Sequence, residues 1–137
     1  MRKAPFTARI ELKVEASVYP SECPEKVMSA ITNVIDKCSP ELRYGSRVIG
    51  RASASESLST IYEQVRSKAS MGVLRRMLLD NKIADTTYFL LNKQAASAGV
   101  VVVIEDAKES PLGPISVTID CEELNELICW LAPKDGK

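Results

Sequence analysis

Residues 8–18 alternate without a lapse: Ile10, Leu12, Val14, Ala16 and Val18 fall on one side, Arg9, Glu11, Lys13, Glu15 and Ser17 on the other. Successive side chains of a β-strand point to opposite faces, so the pattern specifies a strand with one apolar and one wet face. A chain holding such a strand must cover the apolar face with other elements and leave the polar face to water. A purely helical fold is excluded.

The rest of the chain supplies the cover. Pro20 and Ser21 break the strand, and Pro24 suits the first turn of a helix carrying Val27, Met28, Ile31, Val34 and Ile35 at helical spacing. That helix is expected to end near Lys37 to Ser39, before Pro40. Leu42-Arg43-Tyr44 and Val48-Ile49 flank Gly45-Ser46 as a hairpin. Ser53 and Glu56 fit a capping box opening a helix with Leu58, Ile61, Tyr62 and Val65 on one face. A second helical stretch with Val73, Leu74, Met77 and Leu78 follows a break near residues 68–72, and Asn81 suits its C-terminal cap. Thr86 to Leu91 reads as a strand, and Asn92 caps a short turn through Lys93-Gln94-Ala95-Ala96, closed by Gly99. Val100 to Glu105 and Ile115 to Ile119 are two further strands joined by the loop Asp106 to Pro114. Asp120 and Glu123 are placed to cap a last helix, with Leu124, Leu127, Ile128 and Leu131 as its buried stripe and Pro133 as its stop. This order predicts an α+β fold: a single twisted, mostly antiparallel sheet with helices packed on one face. At 137 residues, with 45% hydrophobic and 26% charged, the chain fits one domain spanning 1–137.

Several chemistries are excluded or unsupported. With no His in the chain, imidazole acid–base catalysis, His-containing triads and imidazole zinc sites are excluded. Gly45-x-x-x-x-Gly50-Arg51-Ala52 lacks the Lys and Ser/Thr of a nucleotide-binding loop and reads as hairpin instead. The cysteines, Cys23, Cys38, Cys121 and Cys129, form no C-x-x-C pair, leaving buried thiols, a disulfide or a four-Cys metal site as readings. Cys121 is the best placed for a lowered pKa, but Asp120, Glu122 and Glu123 oppose a thiolate, so it reads as a bystander. Glu122, Glu123 and Glu126 read as a solvated helix face. No convergent catalytic set emerges, and the expectation is a protein that is not an enzyme and carries no cofactor. Arg2 and Lys3 lead into the alternating segment rather than an apolar signal core, and the continuous apolar run Val100 to Ile104 is far below the roughly 20 residues of a membrane helix. A cytoplasmic protein without membrane contact is expected.

Charge is informative in its distribution. The 18 basic and 18 acidic residues cancel, which argues against coating nucleic acid by bulk charge. Residues 43–93 nevertheless hold nine basic groups against four acids, and the remainder carries the opposite surplus. Lys68, Arg75 and Lys82 are seven apart, on one side of a helix with Arg76 beside them. Such a stripe can track phosphates, or it can be a solvated face. On the last helix Trp130 falls with Glu123 and Glu126, off the apolar stripe, either as an interface anchor or folded onto a neighbouring loop.

The block Tyr88-Phe89-Leu90-Leu91-Asn92-Lys93-Gln94-Ala95-Ala96, followed by Gly99-Val100-Val101 and Pro111-Leu112-Gly113-Pro114-Ile115, resembles a small archaeal family of unassigned function. The resemblance extends to the first strand, to Ser21-Glu22-Cys23-Pro24-Glu25-Lys26-Val27 and to Leu74 through Asp85. Members of that family are described as predicted RNA-binding proteins and have been suggested as exosome-associated subunits. The resemblance implies a fold similar to the ribosomal protein that docks on 5S rRNA, often paired as a homodimer.

The leading expectation is a non-catalytic RNA-binding protein. Arg75, Arg76, Lys82 and Lys93 would meet phosphates, with Asn92 and Gln94 as polar contacts on a short turn. The competing structural reading is that Asn92 only caps and Ala95-Ala96 only pack. The alternative function is a protein-interaction or assembly subunit, a homodimer using the last helix and Trp130. Added salt separates the two, since phosphate contacts weaken with salt and apolar contacts do not.

Overall fold

The alternating segment forms β1 (Ile10–Ser17) in the interior of a sheet, where it pairs antiparallel with two strands at once. Its neighbours are β3 (Arg47–Ala52) and β6 (Ile115–Cys121). β2 (Glu41–Arg43) hairpins onto β3, while β4 (Thr86–Leu91) lies on β6 and carries β5 (Val103–Ile104) at the far edge. The six-stranded order is β2-β3-β1-β6-β4-β5, with every neighbouring pair antiparallel. The structure, a computed structural model, describes residue 4, residues 9–67 and residues 70–134, with Ser67 as backbone alone. The expected break at 68–72 and the stripe residue Lys68 lie partly or wholly outside the described residues.

Among the described residues five helices supply the cover: α1 (Pro24–Val34), α2 (Ser59–Ser67), α3 (Met71–Asp80), α4 (Lys93–Ser97) and α5 (Leu124–Leu131). Leu12, Val14, Phe89, Leu91, Val117 and Ile119 from the sheet meet Ile31, Leu58, Ile61, Leu74, Leu78 and Leu127, all essentially fully buried. No helix among the described residues is long and apolar enough to cross a membrane. Gly50 sits where a Cβ would come within 2.5 Å of the Cys38 sulfur and 3.3 Å of the Pro40 backbone, so the chain after α1 presses directly on β3.

Several local expectations are corrected. α1 ends at Val34 rather than near 37–39, because Ile35 is extended and buried and the Asp36 amide turns to the Ser57 carbonyl. The Ser53/Glu56 capping box does not form; a 3-10 turn, Ser55–Leu58, precedes α2, and the Ser59 and Thr60 hydroxyls donate to the Asp36 carboxylate instead. β5 is two residues rather than the run 100–105, because the Gln64 side chain takes the backbone on its N-terminal side. Gln64 donates to the Gly99 carbonyl at 2.8 Å and accepts from the Val101 amide at 2.8 Å. Asp120 belongs to β6, and Glu123 precedes α5 without a side-chain cap bond.

Candidate functional site

Register decides which side chains share the uncovered face of the sheet. Lys13 stands opposite Arg51 on β3 and Thr118 on β6, and Thr118 stands opposite Tyr88 on β4. The row Arg51-Lys13-Thr118-Tyr88 therefore runs straight across four strands. With strands about 4.8 Å apart, Tyr88 is about 10 Å from Lys13, and the ring is not needed by the core. Tyr88 is 41% exposed, and Arg51 is exposed. Around this row lies a shallow depression of about 200 Å3 bordered by Glu11, Lys13, Arg51, Thr86, Thr118 and Asp120. Glu11 and Asp120 face each other in the next row, so the cationic part is the side toward β3.

Further along the same face, Arg47 on β3 stands opposite Arg43 on β2. Glu15 lies between the cations, accepting from Lys13 at 2.9 Å and from Arg47. The Lys13 hydrogen bond, reinforced by Arg47, holds the Glu15 carboxyl below its usual value against the opposing effect of burial. An aromatic ring, flanking hydroxyls and a group of half-exposed cations on a rigid sheet can hold an unpaired base and its phosphates.

The residues singled out in the sequence lie elsewhere. Arg75 donates to the Ala132 carbonyl at 3.0 Å, just past α5, and Arg76 pairs with Glu105. Lys82 lies beyond the end of α3 and donates to Asn125 at 2.6 Å, so no continuous helical stripe joins it to Arg75. Arg66 also serves the end of α5, donating to the carbonyls of Trp130 at 2.7 Å and Leu131 at 3.2 Å. Such arginines answer the unsatisfied carbonyls and negative end of a helix. Of the basic residues of 43–93, Arg66, Arg75 and Lys82 thus turn toward α5, Lys93 is buried elsewhere, Arg76 pairs with Glu105 at the surface, and Arg43, Arg47 and Arg51 reach the open face.

The Asn92-Lys93-Gln94 block is a fastening. Asn92 caps α4 by accepting from the Ala95 amide at 2.9 Å. Gln94 donates to the Pro111 carbonyl at 2.7 Å and accepts from the Ser110 hydroxyl at 3.1 Å. Lys93, expected at a phosphate, is buried: its ammonium donates to the carbonyls of Ser17 and Leu112 at 2.8 and 2.5 Å and to both Glu22 oxygens at 3.0 and 3.1 Å. It cannot reach a ligand from there.

Of the two readings of Trp130, the side chain follows the inward one, with a helix rather than a loop as its cover: it is 5% exposed and packs on Tyr62 of α2, ring centroids 5.0 Å apart. The four cysteines are free; Cys121 is buried, Cys38 partly so, and Cys23 and Cys129 are exposed. Burial pushes the Cys121 thiol up, and Glu123, Asp120 and Asp85 add to that, although a backbone hydrogen bond at Glu123 acts the other way. Among the described residues no group of three or more Cys, Asp or Glu could hold a metal ion.

What fold and face define is an α+β protein with one helix-covered side and one open, polar sheet side. The chain belongs to the UPF0201 family. A family model described as RNA binding matches residues 11–121. The UPF0201 protein of Sulfurisphaera tokodaii is 36% identical over 127 residues, covering 90% of this chain and 88% of the relative. That of Thermococcus onnurineus is 38% identical over 135 residues, covering 92% and 95%. The crystal structure of the UPF0201 protein from Methanococcus jannaschii superposes with a TM-score of 0.78 at 29% identity, covering 93% of this chain and 97% of that one.

Proposed function

We propose that the protein binds RNA without catalysing a reaction, and that it does so on the open sheet face. The observation carrying this reading is the row Arg51-Lys13-Thr118-Tyr88 on the face that no helix among the described residues covers, within the span matched by the RNA-binding family model. Phosphates meet Lys13 and Arg51, and an unpaired base meets Tyr88. Arg75, Arg76 and Lys82 belong to α3 and the chain just beyond it rather than to the rows of the sheet, and take a secondary electrostatic part. The raised, buried Cys121 thiol supports the non-catalytic reading. Membership of a larger RNA-processing assembly, and kinship with the 5S-rRNA-binding ribosomal protein, rest on sequence resemblance alone.

Fluorescence anisotropy with single-stranded, duplex and structured RNAs at low and moderate salt tests this. Lys13→Gln/Arg51→Gln is expected to weaken single-strand binding and to flatten the log–log salt slope by about 1.4, from two lost phosphate contacts. Unchanged affinity and slope in that variant, with loss instead in Arg75→Gln/Arg76→Gln/Lys82→Gln, would overturn the open-face assignment. No binding to any RNA at low salt would overturn the function.

A second reading, self-association as a homodimer, is favoured by the exposure of Leu79 at 45% and Ile83 at 78% around the end of α3. A mass near 30 kDa by light scattering, reverting to 15.0 kDa in Leu79→Ser/Ile83→Ser, is the expected result; a monomeric wild type refutes it. Trp130, being buried, is not its anchor.

A further inference from the structure

The β2–β3 hairpin ends in a turn that local stability does not explain. The Ser46 amide donates to the Arg43 carbonyl at 3.3 Å, and the two residues between them, Tyr44 and Gly45, have φ of 57° and 71°. A two-residue turn with both φ values positive favours Asn or Asp followed by Gly, because a side chain with Cβ is crowded in the left-handed region. Gly45 meets that demand. Tyr44 does not, and its ring gives nothing back to the core, being 87% exposed. Among the described residues three other non-glycine residues share a positive φ, Lys37, Ala84 and Leu112, but none combines it with a bulky ring held so far out in water. Backbone strain kept at an exposed position is a reason to look for a use of the side chain.

The surroundings indicate that use. Arg43 and Arg47 flank the turn as a registered pair on the open face, with side chains 57% and 48% exposed. Their partners, Glu41 and Glu15, form ion pairs at or near the surface, where such pairs are weak and open readily to a competing anion. Arg51 lies four positions after Arg47 on β3, about 14 Å along the strand, so the turn continues the cationic side of the Lys13-Arg51 row.

We propose that Tyr44 is a base-stacking finger for single-stranded RNA. The ring takes the face of an unpaired base, and Arg43 and Arg47 hold the adjoining phosphates. The inference rests on the RNA-binding reading above and extends it from the sheet face to the hairpin tip. Sequence preference is expected to be slight, because every base offers a π-face.

The test compares wild type, Tyr44→Asn and Tyr44→Trp for binding to a fluorescein-labelled single-stranded oligouridine of about 12 nucleotides and to a blunt RNA duplex. Tyr44→Asn removes the ring and suits the turn, so its thermal midpoint should equal or exceed that of wild type. Its affinity for the single strand should fall about 5- to 100-fold with an unchanged salt slope, since no phosphate contact is lost. Tyr44→Trp should bind at least as well as wild type, and duplex affinity should be the same in all three. If wild type binds the single strand and Tyr44→Asn binds it equally, the finger is refuted while the open-face reading stands. If wild type binds no RNA, both fall together. Equal losses on duplex and single strand would also refute base stacking.

Discussion

Lys93→Met should be among the most destabilising single changes in this protein, and the reason can be worked from its cage. The Lys93 side chain is 3% exposed and that of Glu22 12%, and the ammonium also holds the Ser17 and Leu112 carbonyls, with the Tyr19 ring at 5.6 Å. It ties the end of β1, the chain before α1 and the loop after β5 to the start of α4. Met fills the space of the aliphatic stem but leaves Glu22 without its cation. Breaking a buried pair from one side costs about 3–5 kcal/mol, and each carbonyl left without a donor adds toward the upper end of that range. Urea denaturation followed by circular dichroism should register the loss as a lower midpoint with little change in slope. Lys93→Arg should not restore it, because a planar guanidinium does not fit acceptors arranged around a compact ammonium. Glu22→Gln/Lys93→Met should lose less than the two single changes together, since neither group then remains as an unpaired charge. A loss below about 1 kcal/mol, or weakened RNA binding in a variant of wild-type stability, would refute the cage and return Lys93 to the surface role its sequence context suggested.

Two further perturbations address the fold and its charges. Trp130→Ala should cost about 3–5 kcal/mol in the same denaturation assay, as expected for removing a buried aromatic, without changing the mass in solution; a change of mass at unchanged stability would mean an interface role instead. Glu15, whose folded pKa lies below its reference of 4.5, contributes stability that is present above that value and lost as pH falls through the folded one. Glu15→Gln should therefore be less stable than wild type near neutrality by at most about 1 kcal/mol, the partners being partly exposed, and the gap should close at acid pH, once the pH has fallen below 4.5 and through the folded value. A gap that is the same at both pH values would rule out the ion pairs as its source.

The open face shows how far the chain alone could be read. The alternation of β1 named Lys13 as a wet-face residue, and the hairpin named Arg43, Tyr44 and Gly45, all from neighbours within a few positions. Tyr88 sharing a row with Lys13 was not legible, because β6 enters between β1 and β4 from far down the chain and sets Thr118 opposite both. The Asn92 cap was legible since its partner amide is three residues away; the burial of Lys93 was not, because Ser17 and Glu22 are 76 and 71 residues distant.

What the sequence determined by itself is what local sterics and periodicity control: the strand with one wet face, the helix positions, the α4 cap, and an α+β architecture with its polar side left open. Tertiary structure decided where the charges went. Arg66 and Arg75 were drawn to the carbonyls ending α5, and Lys93 into a cage of oxygens. Trp130 was covered by α2. The physical reason is that a cation's environment is set by acceptors and burial gathered from distant segments, and a helical wheel shows only the faces of one element. The basic residues still facing water on the open sheet are the ones that no such partner claimed from within the core.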